Sequence, residues 1–410
     1  MKKHLYLVIS LLFGAMTLLQ AQAIREGDRF FDGSTLYSVR EIRLGSIIYL
    51  ADARGEEELT LEQWGDTPGV YRLRPSRNAD EPKYGAEFGC RVEYISQLEN
   101  KFLRVIGDND MILKDLPFVK PMDDIAAGSL WYNGSLVYDA NPNEDGSVLM
   151  NAMAEGEELE FLLIPAGDGT DVYKVTEGEE GVSYQYDHAR YARRLRKEGL
   201  DVLCFYDWQS RLTDVIQATQ IWDSQALNVK QWMAPICGNY KTGGGKEFVV
   251  DETWFAYGGF DYPLEPVTFN GGITGVIDFG EAGPYIGRLE VVPTAEGLRL
   301  TEVKMNDGEP WYERTVSYYD LTWAGEGSRF GFANEILLLS GLRRYDKPLL
   351  RVMRNAILAA HGYVFQSKDL KNYFEAQPWY HPAANNASIK LSLLEQLNVA
   401  LIQAAERNEE

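Results

Sequence analysis

The sequence predicts a multidomain, mainly β protein with α+β character. It has two tandem β-rich repeats, a Gly-rich antiparallel β barrel or sandwich, and a small C-terminal three-helix domain. Aromatic residues make up 12% of the chain, which also contains 24 Tyr and 38 Gly, a composition that favours strands and tight turns. An N-terminal pattern recurs 101 positions later. Helical periodicity dominates only after residue 337.

Residues 1–23 resemble a signal peptide. Lys2 and Lys3 precede an apolar run, and the small residues Ala21 and Ala23 form an Ala-x-Ala cleavage site. The apolar run has about 15 residues, short of the ~20 that a membrane-spanning helix needs. We therefore expect export to the periplasm, the cell surface or the medium, with cleavage after position 23 or, alternatively, after Ala21.

The charge balance excludes some partner classes. The formal net charge is −21, which disfavours nucleic acid and anionic membrane as partners. No second apolar run is long enough to span a bilayer, so no stable membrane insertion is expected after cleavage. The regular calcium-binding loop is missing, and the oxygen-rich segments 108–110 and 141–146 are more typical of turns. We expect no metal and no cofactor.

The three cysteines form an odd set. Two of Cys90, Cys204 and Cys237 could pair in an exported protein, and the sequence leaves the pairing open. A C-x-x-C motif is missing, which argues against a redox motif or a zinc knuckle. Buried thiols are the expected state.

The first half of the chain contains an internal duplication. Residues 27–37 align with residues 128–138 through shared glycines, an aromatic pair, Asp/Asn-Gly-Ser and a final Tyr. Further matches follow in order: 55–59 with 156–160, 70–71 with 172–173, and Tyr94 with Tyr191 at an offset of 97. We predict repeat units at 24–122 and 123–230, either as two domains or as two halves of one.

Each unit is predicted to contain a hairpin at its Asp/Asn-Gly pair, then a short helix and a strand. In the second unit the helix would run from His188 to Glu198, with Asp187 as its N-cap. Its basic face is a candidate anion-binding site formed by Arg190, Arg193, Arg194 and Lys197. The alternative is an exposed helix whose charges are balanced by neighbouring carboxylates.

Residues 231–335 form the predicted Gly-rich antiparallel β domain. Glycine pairs separate short apolar runs at intervals that fit a meander closed as a barrel or a sandwich. The segment 243–246 lacks the remaining residues of a phosphate-binding loop and is interpreted as a hairpin turn.

Residues 337–410 are predicted to form a helical domain. Asp346 can cap the first helix, and Gly362 is placed for a left-handed C-terminal cap. Ser367 can cap a second helix, and the pair Ser392 and Glu395 forms a capping box for the third.

This segment, at about 340–406, resembles the YARHG domain, a module of exported bacterial proteins. The matching residues are Arg354, Asn355, His361, Gly362, Phe365, Tyr373, Phe374, Trp379, Tyr380, Glu395, Asn398, Leu401 and Ile402. The motif that names the family is changed here, because Leu358 stands for Tyr and Ala360 for Arg. The resemblance implies location and domain identity, and it implies no activity.

The candidate ligand-binding residues of this domain are Arg354, Asn355, His361, Trp379 and Tyr380. They could line a ligand groove. In the structural alternative Arg354 and Asn355 bridge to loop carbonyls, His361 locks the helix end, and the aromatic residues form a core.

No catalytic residue is predicted. HExxH, paired histidines and G-x-S-x-G are all missing from the sequence. The sequence therefore favours a soluble, exported cell-envelope protein with a non-catalytic binding or structural role, its partner being a glycan or a protein. The alternative is an envelope glycan hydrolase with two carboxylates ~5–10 Å apart in a β-domain cleft.

Overall fold

The structure is a computed structural model. It describes residues 24–43, 45–55, 58–74, 90–97, 100–107, 110–134, 136–154, 157–178, 186, 188–220, 236–251, 254–257, 260–269, 272–278, 288–303, 317–323, 336–343 and 345–407. The predicted signal peptide, residues 1–23, lies outside the described residues. The chain divides into two compact units, Met1–Trp131 with Tyr138–Thr219, and Tyr132–Val137 with Gln220–Glu410.

Eight antiparallel strands form the first closed barrel in sequential order. They are β1 Arg29–Phe31, β2 Leu36–Arg43, β3 Ile47–Ala51, β4 Glu58–Gln63, β5 Val70–Arg74, β6 Arg91–Gln97, β7 Asn100–Ile106 and β8 Ile112–Val119. Pairing of Arg29 with Val119 closes β1 onto β8. Alternate residues of these strands, such as Phe30, Tyr37 and Leu103, are buried in one core cluster. The barrel is therefore a packed fold with its own core.

The second barrel repeats this strand order and is also closed. Its strands are β9 Leu130–Tyr132, β10 Val137–Pro142, β11 Val148–Ala154, β12 Glu157–Pro165, β13 Val172–Glu177, β14 Tyr191–Lys197, β15 Leu200–Tyr206 and β16 Leu212–Thr219. Aromatic side chains pack in its core: the rings of Tyr186 and Phe205 stack at 4.1 Å, and Phe161 meets Phe205 edge-on at 5.6 Å.

The Gly-rich segment is a third closed barrel of eight strands. Of the two predicted architectures, a barrel or a sandwich, the barrel is confirmed. The strands are β17 Gly238–Lys241, β18 Glu247–Val250, β19 Trp254–Tyr257, β20 Phe260–Phe269, β21 Gly272–Asp278, β22 Arg288–Pro293, β23 Gly297–Val303 and β24 Ser317–Trp323. Closure comes from pairing of Tyr240 with Trp323.

The C-terminal segment is helical, as predicted. It contains α1 Leu339–Leu342, α2 Lys347–Ala360, α3 Lys368–Glu375, a 3₁₀ turn Asn386–Ser388 and α4 Leu393–Arg407. The short helix α1 is additional to the three predicted helices. Apolar residues of α2 and α4, among them Met353 and Leu397, are buried. This packing makes the segment a small helical domain.

The predicted helix His188–Glu198 is wrong, because Tyr191–Lys197 forms strand β14. Lys197 pairs with Leu200 across a two-residue turn in which Glu198 and Gly199 both have positive φ, at 55° and 82°. The first five residues of β14 are all buried, so the strand lacks the polar–apolar alternation that marks a half-buried strand. The described residues of both barrels show strands and turns where the short helices were expected.

The predicted match of Tyr94 with Tyr191 is out of register. The hairpin of β6 and β7 pairs Gln97 with Asn100, and that of β14 and β15 pairs Lys197 with Leu200. Corresponding strands at this point are therefore 100 positions apart, and the offset of 97 is wrong. That the two barrels arose by duplication stays a prediction.

Candidate functional site

The candidate residues of the helical domain lie on α2 and in the segment that follows it. Asp346 starts α2, and its carboxylate accepts the N–H of Leu349 at 2.8 Å. The helix that follows buries one face, which includes Leu349 and Ile357. The capping predicted for Asp346 is confirmed, and it sets where the helix places Arg354, Asn355 and His361.

The end of α2 is a Schellman motif centred on Gly362. The N–H of Tyr363 donates to the Leu358 carbonyl at 3.1 Å, and the N–H of Gly362 donates to the Ala359 carbonyl at 2.8 Å. Gly362 has φ +77°, and a Cβ added there would lie 2.6 Å from the carbonyl oxygen of His381. The motif glycine is therefore required both by its conformation and by a close backbone approach.

His361 joins the end of α2 to the start of α4. Its Nε2 lies 2.6 Å from Oε1 of Glu395, while Oε2 of Glu395 accepts the N–H of Ser392 at 2.8 Å. The Ser392 hydroxyl in turn accepts the N–H of Glu395 at 3.2 Å, which completes the predicted capping box. Burial acts to raise the pKa of Glu395, but hydrogen bonds from His361 and Ser392 outweigh it and hold that pKa below its ordinary value. His361 thus locks a helix end, as the structural alternative proposed.

Arg354 and Asn355 also make contacts within the domain. The Arg354 guanidinium pairs with Glu406 on α4, with Nε 3.1 Å from Oε2. The Asn355 side chain is buried and donates to the carbonyl of Arg351 at 2.7 Å. Loop carbonyls were the predicted partners of both side chains. The observed partners are instead a carboxylate of α4 and a carbonyl of α2 itself.

The aromatic residues of the domain form a core with one partly open edge. Phe365 and Phe374 stack at 4.7 Å. Tyr380 is buried, and its hydroxyl donates to the Tyr363 carbonyl at 2.7 Å. Trp379 is half-buried and meets Phe374 edge-on at 6.0 Å. Of the two aromatic residues in the predicted ligand groove, Trp379 is the accessible one.

The structure does not bring Arg354 and His361 to one point. Their partners on α4 are Glu406 and Glu395, which are eleven residues apart, or about 16 Å along a helix axis. A groove over Arg354, Asn355, His361, Trp379 and Tyr380 stays a prediction. The side chains of Arg354, Asn355 and His361 are already engaged by protein partners.

The predicted anion-binding residues of the second barrel divide into buried and exposed pairs. Arg193 is fully buried, and its Nη1 lies 2.9 Å from Oδ2 of Asp171. Its other terminal nitrogen, Nη2, donates to the carbonyl of Phe118 in the first barrel. The second carboxylate oxygen of Asp171 accepts the N–H of Lys120 at 2.7 Å. Arg193 and Asp171 therefore form an ion pair buried between the two barrels.

Arg194 is likewise held by protein groups. Its Nε and Nη2 each lie 2.8 Å from an oxygen of Asp201, and its guanidinium lies over the ring of Trp131 at 5.4 Å. Arg190 is exposed, and Lys197 lies 3.6 Å from Glu198. Anion binding by these four residues stays a prediction, but Arg193 and Arg194 are paired in structural ion bridges.

Sequence reasoning missed two half-exposed tryptophans of the first unit. Trp64 is 45% exposed after β4, and Trp208 is 50% exposed in the turn between β15 and β16. The guanidinium of Arg72 lies 5.7 Å from the centre of the Trp64 ring. The available signal was their position, since each follows a strand within a turn-forming segment.

The described part of the chain offers neither a metal cluster nor a membrane-spanning helix. No three or more His, Cys, Asp or Glu side chains there are grouped so that they could hold a metal ion. No helix in that part is long and apolar enough to cross a membrane.

Comparison with known proteins gives one match. Neither a curated protein nor a solved structure matches the chain. The model of the YARHG domain family matches residues 332–407. That family is associated with exported bacterial proteins. The match covers α1 to α4 and includes the motif residues placed above. The C-terminal helical segment therefore matches the YARHG domain family, as its residues predicted.

Proposed function

We propose that the protein is exported and acts in the bacterial cell envelope by binding a glycan or protein ligand, without a catalytic step. Export is supported by the signal-peptide pattern of residues 1–23 and by the YARHG domain. The compartment after export is the periplasm, the cell surface or the medium.

One observation carries the binding role. The first unit exposes two tryptophans on turns held by hydrogen bonds, whereas the polar motif residues of the helical domain are engaged internally. Large aromatic side chains held in rigid positions bind ligands at low entropic cost. The ligand surface therefore lies on the barrels, and the YARHG domain serves as a packed C-terminal module.

Two buried carboxylates of the described chain are unsuited to hydrolysis, which supports the binding proposal. Asp115 and Asp171 are nearly fully buried, and each is paired with an arginine, Arg104 or Arg193. A glycosidase needs one carboxylate that can donate a proton and a second one facing the same sugar. With side-chain exposures of 2% for Asp115 and 1% for Asp171, neither carboxylate can face a sugar.

The test uses the chain from residue 24 to residue 410, incubated with an insoluble envelope fraction and then sedimented. We expect the protein in the pellet and no soluble sugar fragments in the supernatant. Release of reducing ends in proportion to enzyme and time would establish the hydrolase alternative instead. Protein that stays entirely in the supernatant, without cleavage products, would contradict both.

Export has its own test. Cells that produce the full chain are fractionated, and the N-terminus of the product is sequenced. We expect an extracytoplasmic product that begins after Ala23 or after Ala21. A product that retains Met1 and stays in the cytoplasm would contradict the proposal.

A further inference from the structure

The turn after β4 holds Trp64 in a fixed place. Its N–H donates to the carbonyl of Val70 at 2.9 Å, and the side chain of Gln63 donates to the carbonyl of Thr67 at 2.6 Å. One of these bonds closes the base of the turn and the other holds its tip, while the Trp64 side chain stays 45% exposed. A ligand that stacks on this ring would have little backbone to order.

Arg72 adds a positive charge beside this ring. It lies 5.7 Å from the ring centre, on the outer wall formed by β5. The neighbouring arginines are already paired: Arg74 lies 2.5 Å from Glu62, and Arg91 lies 2.9 Å from Glu93. Within the residues that the structure describes, Arg72 makes no ion pair of its own. Its guanidinium donors are therefore available to an external carboxylate.

Trp208 is held by contacts from both barrels. Oδ1 of Asp207 accepts the N–H of Gln209 at 2.8 Å and that of Arg211 at 2.9 Å. From the first barrel, Nη2 of Arg104 donates to the carbonyl of Gln209 at 2.6 Å. The turn is therefore fixed against the first barrel, and Trp208 stays 50% exposed.

The two tryptophan turns lie at the same end of the first barrel. In an antiparallel meander, β4 finishes at the same end of the barrel at which β7 starts. The first residue of β7 is Asn100. The Asn100 amide donates to the hydroxyl of Tyr191 at 2.9 Å, and that hydroxyl donates to Ser210 in the Trp208 turn. Strands are spaced about 4.8 Å apart, so β4 and β7 are separated by about 15 Å around the wall.

The surroundings of the rings indicate the chemistry of the ligand. The wall beside Trp64 carries Arg–Glu pairs, whereas the cores of protein interfaces are depleted of charge. Separate aromatic rings in a hydrophilic wall suit a ligand that is polar at its edges and apolar on its ring faces, which describes a pyranose. A guanidinium beside such a ring can bind a sugar carboxylate through two hydrogen bonds.

We infer that Trp64, Arg72 and Trp208 form a binding surface for a carboxylate-bearing glycan at this end of the first barrel. The inference rests on the proposed binding function and adds the location of the site and the charge of its ligand. The two rings contact separate sugars of one chain, and Arg72 selects the acidic sugar at the Trp64 position.

The test measures binding of two probes to residues 24–410 by titration calorimetry: a galacturonic acid hexamer and a neutral galactose hexamer. We expect the acidic hexamer to bind more tightly. Trp64→Ala and Trp208→Ala should each weaken its binding by about tenfold or more, which is the loss of one good aromatic contact. Arg72→Gln should lower the affinity for the acidic hexamer to that for the neutral one.

Met111→Ala is the matched control. Met111 is 61% exposed just before β8, at the opposite end of the same barrel, and its substitution should change neither affinity. All four variants replace exposed or half-buried side chains, and thermal unfolding checks that each stays folded.

The same four variants are then sedimented with the envelope fraction. Loss of sedimentation in the Trp64, Arg72 and Trp208 variants supports the inference. If the unmodified chain sediments and all three variants sediment equally well, the inference is overturned while the proposed function stands. If Arg72→Gln leaves the preference for the acidic hexamer unchanged, the assignment of a carboxylate to this site is overturned. If the unmodified chain binds neither envelope nor hexamer, the proposed function fails as well.

Discussion

Gly362 occupies a conformation that other residues adopt only with strain. Its φ is +77°, and a Cβ added there would lie 2.6 and 2.9 Å from backbone atoms of residues 381 and 383, so there is no room for a methyl group. Gly362→Ala should therefore lower the free energy of unfolding of the helical domain by about 1–3 kcal/mol, measured by urea denaturation.

Gly341→Ala is the control for that substitution. An added Cβ there meets only Leu338 at 3.9 Å, an ordinary contact. Since alanine is the better helix former, the unfolding free energy should be unchanged or slightly higher. Equal destabilisation by both substitutions would show that the close approach at Gly362 does not determine stability.

Asp171 and Arg193 form a fully buried ion pair at the junction of the first two barrels. Asp171→Asn keeps the shape of the side chain but leaves the Arg193 guanidinium buried without a counter-charge. The cost should be about 3–5 kcal/mol of unfolding free energy. Glu41→Gln, at the exposed pair with Arg43, should give no measurable change. If Asp171→Asn lowers the unfolding free energy only slightly, water reaches the junction.

The lowered pKa of Glu395 predicts how the stability of the folded chain responds to acid. Its pKa is lower in the folded chain than its ordinary value of 4.5, so the unfolded state binds the proton more readily. The stability it contributes is present above that value and is lost as the pH falls through the folded pKa. Urea midpoints measured from neutral pH to below 4 should thus fall less steeply for Glu395→Gln than for the unmodified chain. If the urea midpoints of both proteins fall in parallel with pH, the role of Glu395 is contradicted.

At the level of single residues, the sequence was informative where neighbours along the chain decide the contact. The caps at Asp346, Gly362 and Ser392 follow from local patterns and are confirmed. The partners Glu395 for His361 and Glu406 for Arg354 come from a distant helix, so spacing alone could not identify them.

At the level of elements, the N-terminal caps of α2 and α3 differ. Asp346 accepts a backbone hydrogen bond at 2.8 Å, whereas the side chain of Ser367 makes no such bond at the start of α3. The side-chain cap predicted for Ser367 is therefore wrong. Asp346→Ala should cost about 1 kcal/mol of unfolding free energy, and Ser367→Ala should cost clearly less. Urea denaturation of both variants provides the comparison, and an equal or reversed order would contradict the assigned cap.

Strand β14 shows why one element was mispredicted. Its Arg and Lys residues favour helices, and a strand buried on both sides has no alternating pattern to reveal it. One side packs in the second barrel and the other meets the first barrel through Arg193. The two-residue turn at Glu198 and Gly199 was the local signal that favoured a hairpin over a helix.

At the level of the whole molecule, the mainly β class and the helical C-terminal domain could be predicted from composition and periodicity. Closure into barrels could not, because it depends on pairs such as Arg29 with Val119 that are far apart in sequence. The Trp64 and Trp208 turns are likewise adjacent to one barrel end only because the second barrel packs on β7. Their joint role was therefore invisible in the sequence.

The most direct test of a binding role carried by the barrels is envelope sedimentation of two variants of residues 24–410. One variant combines Trp64→Ala with Trp208→Ala, and the other is Trp379→Ala in the C-terminal helical domain. We predict that the double variant stays in the supernatant, while Trp379→Ala sediments like the unmodified chain. Loss of sedimentation by Trp379→Ala, with the double variant still in the pellet, would contradict the account and would place the ligand site in the helical domain.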